Sequence, residues 1–183
     1  MTSQNPFSPY AVCATNSMLK YRRQGDFFQT RDEFKSMRLD RVCIEAARNE
    51  HEPFQVVILA ADTDLKDVTI EAGAFRSAGG SVFDHAAITP YLVHYLCEPL
   101  SEAMYPDALL PIQPCDLPAG ESQVIWFDVS VDESVEPDTY EGSVTVRPAG
   151  LPEQTVTIEL TVYPFVLPAA APTRSAFGIG TEQ

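Results

Sequence analysis

The strictest constraint on the fold of this chain is a regular alternation of apolar and polar residues in its last third. Side chains at successive positions of an extended segment point to opposite faces of a sheet, so a period of two predicts strands with one buried face. Ile125, Phe127 and Val129 share such a face. We predict three strands that pair in one sheet: residues 121–131, a segment around Val144 and Val146, and residues 155–162.

Earlier apolar or alternating runs indicate further strands. The run 54–61 is apolar almost throughout and should be a central strand. No stretch has the 3.6-residue period of an amphipathic helix. Short strands at roughly ten-residue spacing predict an all-β fold, a two-layer antiparallel β-sandwich of immunoglobulin-like type. The additional predicted strands are residues 10–15, 41–46, 68–72 and 88–96.

Proline-rich stretches indicate where a loop and a linker lie in the chain. The 183 residues include 15 prolines and 9 glycines, which suits short strands joined by rigid loops. We predict that the proline-rich stretch 98–118 is a long apolar loop, and that residues 163–172 form a stiff connector. We therefore assign residues 1–168 to the sandwich and residues 169–183 to a linker and the start of a further C-terminal domain.

Large apolar side chains in the loop and the connector, together with the single tryptophan, are candidates for packing against that further domain. An isolated soluble domain would not readily justify an exposed apolar loop followed by a stiff apolar tail. The predicted inter-domain residues are Tyr105, Leu109, Leu110, Trp126, Phe165 and Leu167.

The net charge excludes some classes of binding partner, and the cysteine spacing argues against disulfides. The net charge of −14 argues against nucleic-acid and anionic-membrane partners, because binding to phosphates depends on lysine and arginine. The four cysteines are widely spaced and should be buried, unpaired thiols. No signal-like segment or membrane-spanning stretch is present. This predicts a cytoplasmic protein as given, and a secreted one if a signal has been removed.

Two carboxylates flank a histidine in the segment Glu50-His51-Glu52 and resemble an acid–base pair. We favour a structural interpretation, because Asn49 and Pro53 mark a tight turn whose carboxylates accept backbone donors. We predict no catalytic residue in this chain. The predicted structural turn residues are Asn49, Glu50, Glu52, Tyr140 and Gly142.

Metal and cofactor sites lack support. Asp62, Asp64 and Asp67 lie close together, but the glycine and the bidentate glutamate of a calcium loop are missing, so calcium is a minor alternative. The three histidines have no cysteine or aspartate at zinc-ligand spacing. No nucleophile elbow or glycine-rich phosphate loop occurs. We predict neither a metal nor a cofactor.

Four motifs together resemble the N-terminal β-sandwich domain of glycoside hydrolase family 123 and its bacterial relatives. The tail 162–168, continuing to 175–178, is similar to the junction at which those proteins enter a TIM barrel. The motifs are residues 47–58 (ARNEHEPFQVVI), 105–111 (YPDALLP), 123–129 (QVIWFDV) and 137–146 (PDTYEGSVTV).

The resemblance implies a larger parent protein, a retaining β-N-acetylhexosaminidase or β-N-acetylgalactosaminidase. In such an enzyme the acetamido group of the substrate assists catalysis, and an Asp–Glu pair on the barrel orients that group and protonates the leaving oxygen. The residues of this pair have no counterpart in the present chain. The expected partner is the catalytic barrel, which this domain would contact and support.

Two other functions stay open at this point. An independent carbohydrate-binding module would stack sugar rings on exposed aromatic side chains. A protein-interaction module would instead present its acidic face to a basic partner. The candidate aromatic residues for sugar stacking are Trp126, Tyr91, Tyr95, Tyr105, Tyr140 and Tyr163.

Overall fold

The computed structural model describes residues 9–21, 23, 40–97 and 104–170. Among the strands of these ranges lies a short 3₁₀ turn, His85–Ala87. No helix in these ranges is long and apolar enough to cross a bilayer. The strands are β1 (Tyr10–Asn16), β2 (Arg41–Arg48), β3 (Glu50–Ala60), β4 (Leu65–Ala72), β5 (Phe75–Ser77), β6 (Val82–Phe83), β7 (Ile88–Cys97), β8 (Met104–Pro111), β9 (Cys115–Leu117), β10 (Ser122–Val131), β11 (Thr139–Arg147) and β12 (Gln154–Val166).

The strands form two packed sheets, which confirms the all-β sandwich. The first sheet has the order β1-β3-β10-β7-β8, and the second has the order β2-β12-β11-β4-β9 with β5 and β6 joined at β11. Pairing is antiparallel in the first sheet, whereas β2 and β12 pair in parallel in the second. The parallel pair is a departure from the purely antiparallel sandwich predicted from the sequence.

The prediction that the three alternating strands share one sheet is wrong. β10 pairs with β3 and β7 in the first sheet, whereas β11 and β12 pair with each other in the second. The connection between β10 and β11 crosses from one layer to the other. Alternation specifies that a strand has one buried face, but both layers bury such a face against the same core.

The core lies between the layers and is filled by the alternating residues of both sheets. Phe54 of β3 and Phe127 of β10 are adjacent across the first sheet, and their rings stack with centroids 4.8 Å apart. Both are fully buried. A smaller cluster covers the opposite, outer face of the first sheet and includes Cys13, whose thiol pKa burial raises to about 12. Within the described ranges the four cysteines form no disulfide, and Cys43 and Cys97 are exposed rather than buried.

The proline-rich stretch is not the long loop that the sequence predicts. Residues 104–111 form β8, the edge strand of the first sheet, and residues 115–117 form β9. Pro106 and Pro111 are compatible with an edge strand because it needs donors on one side only. A register shift between Val93 and Tyr95 of β7 accommodates β8. The prolines of this stretch therefore indicate an edge strand, and residues 98–103 of the predicted loop lie outside the described ranges.

The predicted connector begins later than the sequence suggests. Residues 163–166 continue β12 along β2, although Pro164 lies among them. The register shifts between Val162 and Val166, so the strand bulges where the proline has no donor to offer. Residues 171–183, most of the predicted linker, lie outside the described part of the chain.

Two residues of the predicted turn motif lie in β11 and pack against the core. The Tyr140 hydroxyl donates to the carbonyl oxygen of Glu136 at 2.7 Å and so ties the strand to the turn before it. Gly142 lies against the ring of Phe75, and a Cβ at this position would approach Phe75 Cδ1 to 1.7 Å. Gly142 is therefore a position of close contact inside a strand.

Candidate functional site

β12 ends at Val166, at the end of the sandwich where β3 begins and β10 ends. We call the residues there the exit surface: Arg48, Asn49, Tyr163, Phe165, Val166 and Leu167. The Leu167 amide donates to the Arg48 carbonyl at 2.8 Å, and the Asn49 side-chain amide donates to the Leu167 carbonyl at 2.8 Å. The last residues of the strand are thus held to the sandwich by hydrogen bonds and have a defined direction.

Asn49 makes this arrangement possible through its backbone. It joins β2 of one sheet to β3 of the other within a single residue, and its φ of 62° lies in the left-handed region that asparagine tolerates better than most residues. Its amide donates to the Val131 carbonyl at 2.6 Å. Asn49 therefore connects both sheets and the C-terminal strand at one point.

Arg48 extends this network from the end of β2. Its guanidinium donates to the carbonyl oxygens of Pro164 at 3.3 Å and Glu133 at 3.1 Å. Its Nε–H is buried and has no acceptor within the described ranges. A buried hydrogen-bond donor without an acceptor is uncommon in folded proteins.

The β12 bulge at the exit surface presents two aromatic rings to solvent. Tyr163 and Phe165 project from the same side of the strand and stack with ring centroids 5.7 Å apart. Phe165 is 53% exposed and Val166 is 41% exposed. The Tyr163 hydroxyl donates to the Glu45 carboxylate, and this hydrogen bond raises the pKa of the tyrosine. The result is an apolar patch on an otherwise polar sheet face.

The carboxylates and the histidine singled out in the sequence lie beside the exit surface at the start of β3. Glu50 accepts the backbone N–H of Ala47 at 2.6 Å. Glu52 lies two residues further on the same face of the strand, where partial burial and then the charge of Glu50 raise its pKa. The two carboxylates are thus close enough for the charge of Glu50 to act on Glu52. Glu52 is placed within a strand and not in the turn.

His51 faces the outer side of the first sheet in a constellation that the sequence did not reveal. Its Nδ1 lies 2.9 Å from Asp128 Oδ2, and its Nε2 lies 3.4 Å from the Ser130 hydroxyl. These contacts have the order of a catalytic triad, but the His51 side chain is 65% exposed on a flat sheet surface. A triad works with a cavity and oxyanion donors around the serine. The geometry on its own fits polar pairing across two strands.

A groove runs along the outer face of the first sheet. It begins roughly six residues along β3 from Asn49, which corresponds to about 20 Å in an extended strand. We call it the outer groove. Its volume is about 240 Å³, and an adjoining depression of about 210 Å³ extends it along β8. Residues 17–20 form one wall, β8 forms the other and Trp126 of β10 lies between them. The lining includes Leu19, Lys20, Gln55, Asp107, Leu109 and Trp126.

The first wall of the outer groove is fixed from below. The Gln55 side-chain amide donates to the carbonyl oxygens of Asn16 and Leu19, each at 2.9 Å. Tyr21 is buried, and its hydroxyl donates a hydrogen bond to Thr15 Oγ1 at 3.3 Å. A buried amide with two acceptors holds the segment in one position. The groove is therefore preformed.

The structure divides the predicted inter-domain residues into two groups. Tyr105, Leu109 and Trp126 lie along the outer groove and its extension, while Phe165 and Leu167 lie at the exit surface. Leu110 alternates with Leu109 on β8 and points to the other side of the strand.

The tyrosines considered for sugar stacking are equally dispersed. Tyr91 pairs with Trp126 across the first sheet, and Tyr163 lies at the exit surface. Tyr95 and Tyr140 are buried, and burial raises the pKa of Tyr95 to about 12.

Two of the aspartates considered for calcium have structural roles. Asp64 accepts the Ala119 backbone N–H at 2.9 Å, and Asp67 lies in β4 with a positive φ of 46°, where the register of the strand shifts. In the described ranges, no three His, Cys, Asp or Glu side chains come close enough to hold a metal ion.

Comparisons with known proteins identify the family. Residues 23–148 match the glycoside hydrolase 123 N-terminal domain. No curated protein matches the chain. A family 123 glycoside hydrolase from Clostridium perfringens, described in connection with glycolipid glycan hydrolysis, superimposes with a TM-score of 0.74 and 16% identity. The match covers 88% of this chain and 28% of that one, so the chain spans about a quarter of the length of that relative.

A second solved structure is much less similar. MyfA, the major subunit of Myf fimbriae from Yersinia enterocolitica in complex with galactose, gives a TM-score of 0.40 at 12% identity over 83% of this chain and 98% of that one. This score is too low to carry an argument about function. The family match over most of the sequence leads to one conclusion: this chain belongs to the glycoside hydrolase 123 N-terminal domain family.

Proposed function

We propose that this chain is a non-catalytic accessory domain that packs against the catalytic domain of a glycoside hydrolase and supports it. The observation that carries the proposal is the exit surface. There the backbone is held by hydrogen bonds from Arg48 and Asn49. Directly beside this anchor, the stacked rings of Tyr163 and Phe165 are open to solvent. A surface with these properties suits a domain joined through the same strand.

The anchor determines how a following domain is presented. A flexible tail would let the next domain rotate freely, whereas a strand fixed up to Leu167 and followed by Pro168 restricts it. Interfaces between domains of one chain are small, at about 600–1,500 Å², so neighbouring domains move relative to each other unless something restricts them.

The activity of the parent protein is also part of the proposal, and the family match supports it. We infer that the supported domain hydrolyses glycans with a terminal N-acetylhexosamine, with the acetamido group of the substrate as the internal nucleophile and a carboxylate pair as its orienting group and general acid. The Clostridium perfringens relative is described in connection with glycolipid glycan hydrolysis, which supports a glycan as the substrate. The present chain contributes stability and orientation.

Substituting the exit surface tests the proposal. Phe165→Asp should lower the thermal stability of the parent enzyme by several degrees, because a charge would be buried in the interface. In the isolated 183-residue chain the same substitution should shift the unfolding midpoint little, since Phe165 is 53% exposed there.

Val82→Asp is the matched control, because Val82 is also 53% exposed but lies on β6. It should leave both proteins nearly unchanged. The measurement is the unfolding midpoint of each variant together with the half-life of glycosidase activity. Equal effects of the two substitutions in the parent enzyme would contradict a role of the exit surface.

A further inference from the structure

We propose that the outer groove binds a sugar ring of a neutral glycan. Trp126 would provide the apolar floor, and Lys20 and Asp107 would bind hydroxyl groups from opposite walls. This site is distinct from the exit surface, which lies at the end of the sandwich. The inference therefore stands or falls independently of the inter-domain proposal.

The environment of Trp126 suits the binding of a sugar ring. It lies in the middle of β10, a strand flanked by β3 and β7, where a large aromatic residue is normally covered. Its side chain is only half-buried and forms part of the groove surface. Within the described ranges its indole N–H has no hydrogen-bond acceptor. An aromatic face combined with a free donor suits the apolar C–H face and the hydroxyl groups of a pyranose.

Lys20 and Asp107 place opposite charges along the outer groove. Lys20 and Asp107 are exposed and line both the groove and its extension. Neither forms an ion pair or a hydrogen bond with another described residue. The ammonium group is a donor and the carboxylate an acceptor, so together they can bind the two ends of a hydroxyl-rich ligand. Their charges cancel locally, which favours a neutral ligand over an anion or a cation.

The size and rigidity of the outer groove also suit a small ligand. A preformed cleft lined by apolar side chains and a few polar groups is the usual form of a small-molecule site. Here Gln55 fixes one wall, and the pairing of β7 with β8 fixes the other. The extension places Tyr105 and Leu96 further along the same surface. The site is thus long enough to continue beyond a single ring.

Trp126 is the only tryptophan of the chain, so its fluorescence reports on this groove and nowhere else. The test is a titration of the complete 183-residue chain with N-acetylgalactosamine, N,N′-diacetylchitobiose and cellobiose, followed by emission and by calorimetry. We expect a saturable change with at least one of these sugars. Asp107→Ala and Lys20→Ala should each weaken binding about tenfold, as expected for loss of a hydrogen bond to a charged group.

The choice of variants separates binding from folding. Lys20 and Asp107 are exposed, so their substitution should leave the circular dichroism spectrum and the unfolding midpoint unchanged. Tyr163→Ala, at the exit surface, is the control and should bind with the affinity of the unmodified chain.

Absence of both a fluorescence change and heat with all three sugars would overturn the proposal, as would unaltered affinity in the Asp107 and Lys20 variants. A change in emission that depends on protein concentration alone would assign the groove to a second copy of the chain and would also overturn it.

Discussion

Replacing Phe127 by alanine is expected to destabilise the domain by about 3–5 kcal/mol, the usual range for removing a buried phenylalanine. Phe127 is fully buried on the inner face of β10, and its ring stacks on that of Phe54 at an interplanar angle of 1°. The substitution removes contacts from both layers and leaves a cavity between them. Since domains are stable by about 5–15 kcal/mol, a loss of this size is a large share of the total.

Urea denaturation followed by circular dichroism measures this loss. Phe165→Ala is the matched control, because it removes the same side chain from an exposed site and should cost less than about 0.5 kcal/mol. The double variant with Phe54→Ala should reveal a coupling of about 0.5–1.5 kcal/mol between the two rings. If Phe127→Ala were no more destabilising than Phe165→Ala, the description of the core would be wrong.

Replacing Gly142 by alanine is expected to destabilise the domain by about 3 kcal/mol, at the upper end of the range for overpacking. The added Cβ would lie 1.7 Å from Phe75 Cδ1 and 2.4 Å from its Cγ. The ring cannot move aside easily, because Phe75 is fully buried and its centroid lies 6.2 Å from that of Phe83. Either β11 and β5 separate or the phenylalanine leaves its site.

Gly73→Ala provides the control for this substitution. Gly73 follows β4 in the same sheet, and a Cβ there would meet Ser143 Oγ at 3.6 Å, an ordinary contact distance. Its cost should stay near 1 kcal/mol or below. Thermal or urea unfolding of the two variants therefore isolates the contact between Gly142 and Phe75, and similar midpoints for both would refute it.

The existence of most strands could be predicted from the sequence, whereas their partners could not. Ile125, Phe127 and Val129 alternate and do form the buried face of β10. The same pattern in β11 and β12 predicts that these strands also bury one face. Alternation does not specify to which of the two sheets a strand belongs, so the prediction of a common sheet had no basis in the pattern itself. Topology depends on contacts between distant segments, such as the parallel pairing of β2 with β12.

The candidate sites were partly accessible to sequence analysis. Trp126 and Phe165 stood out as apolar residues that an isolated domain would not readily expose, but their separation into two surfaces follows from the topology. Lys20 and Asp107 carried no signal of their own. They lie in stretches without clear periodicity, and only the pairing of β8 with β7 brings Asp107 to the groove that contains Lys20.

Amide hydrogen exchange with mass spectrometry tests whether the exit surface is an interface, by comparing the isolated 183-residue chain with the complete parent protein. We expect slower exchange of residues 163–167 in the complete protein, where a second domain would cover the exit surface. Exchange around β5 and β6 should be the same in both. Identical exchange at residues 163–167, or added protection confined to the outer groove, would contradict the proposal that this domain supports its catalytic partner through the exit surface.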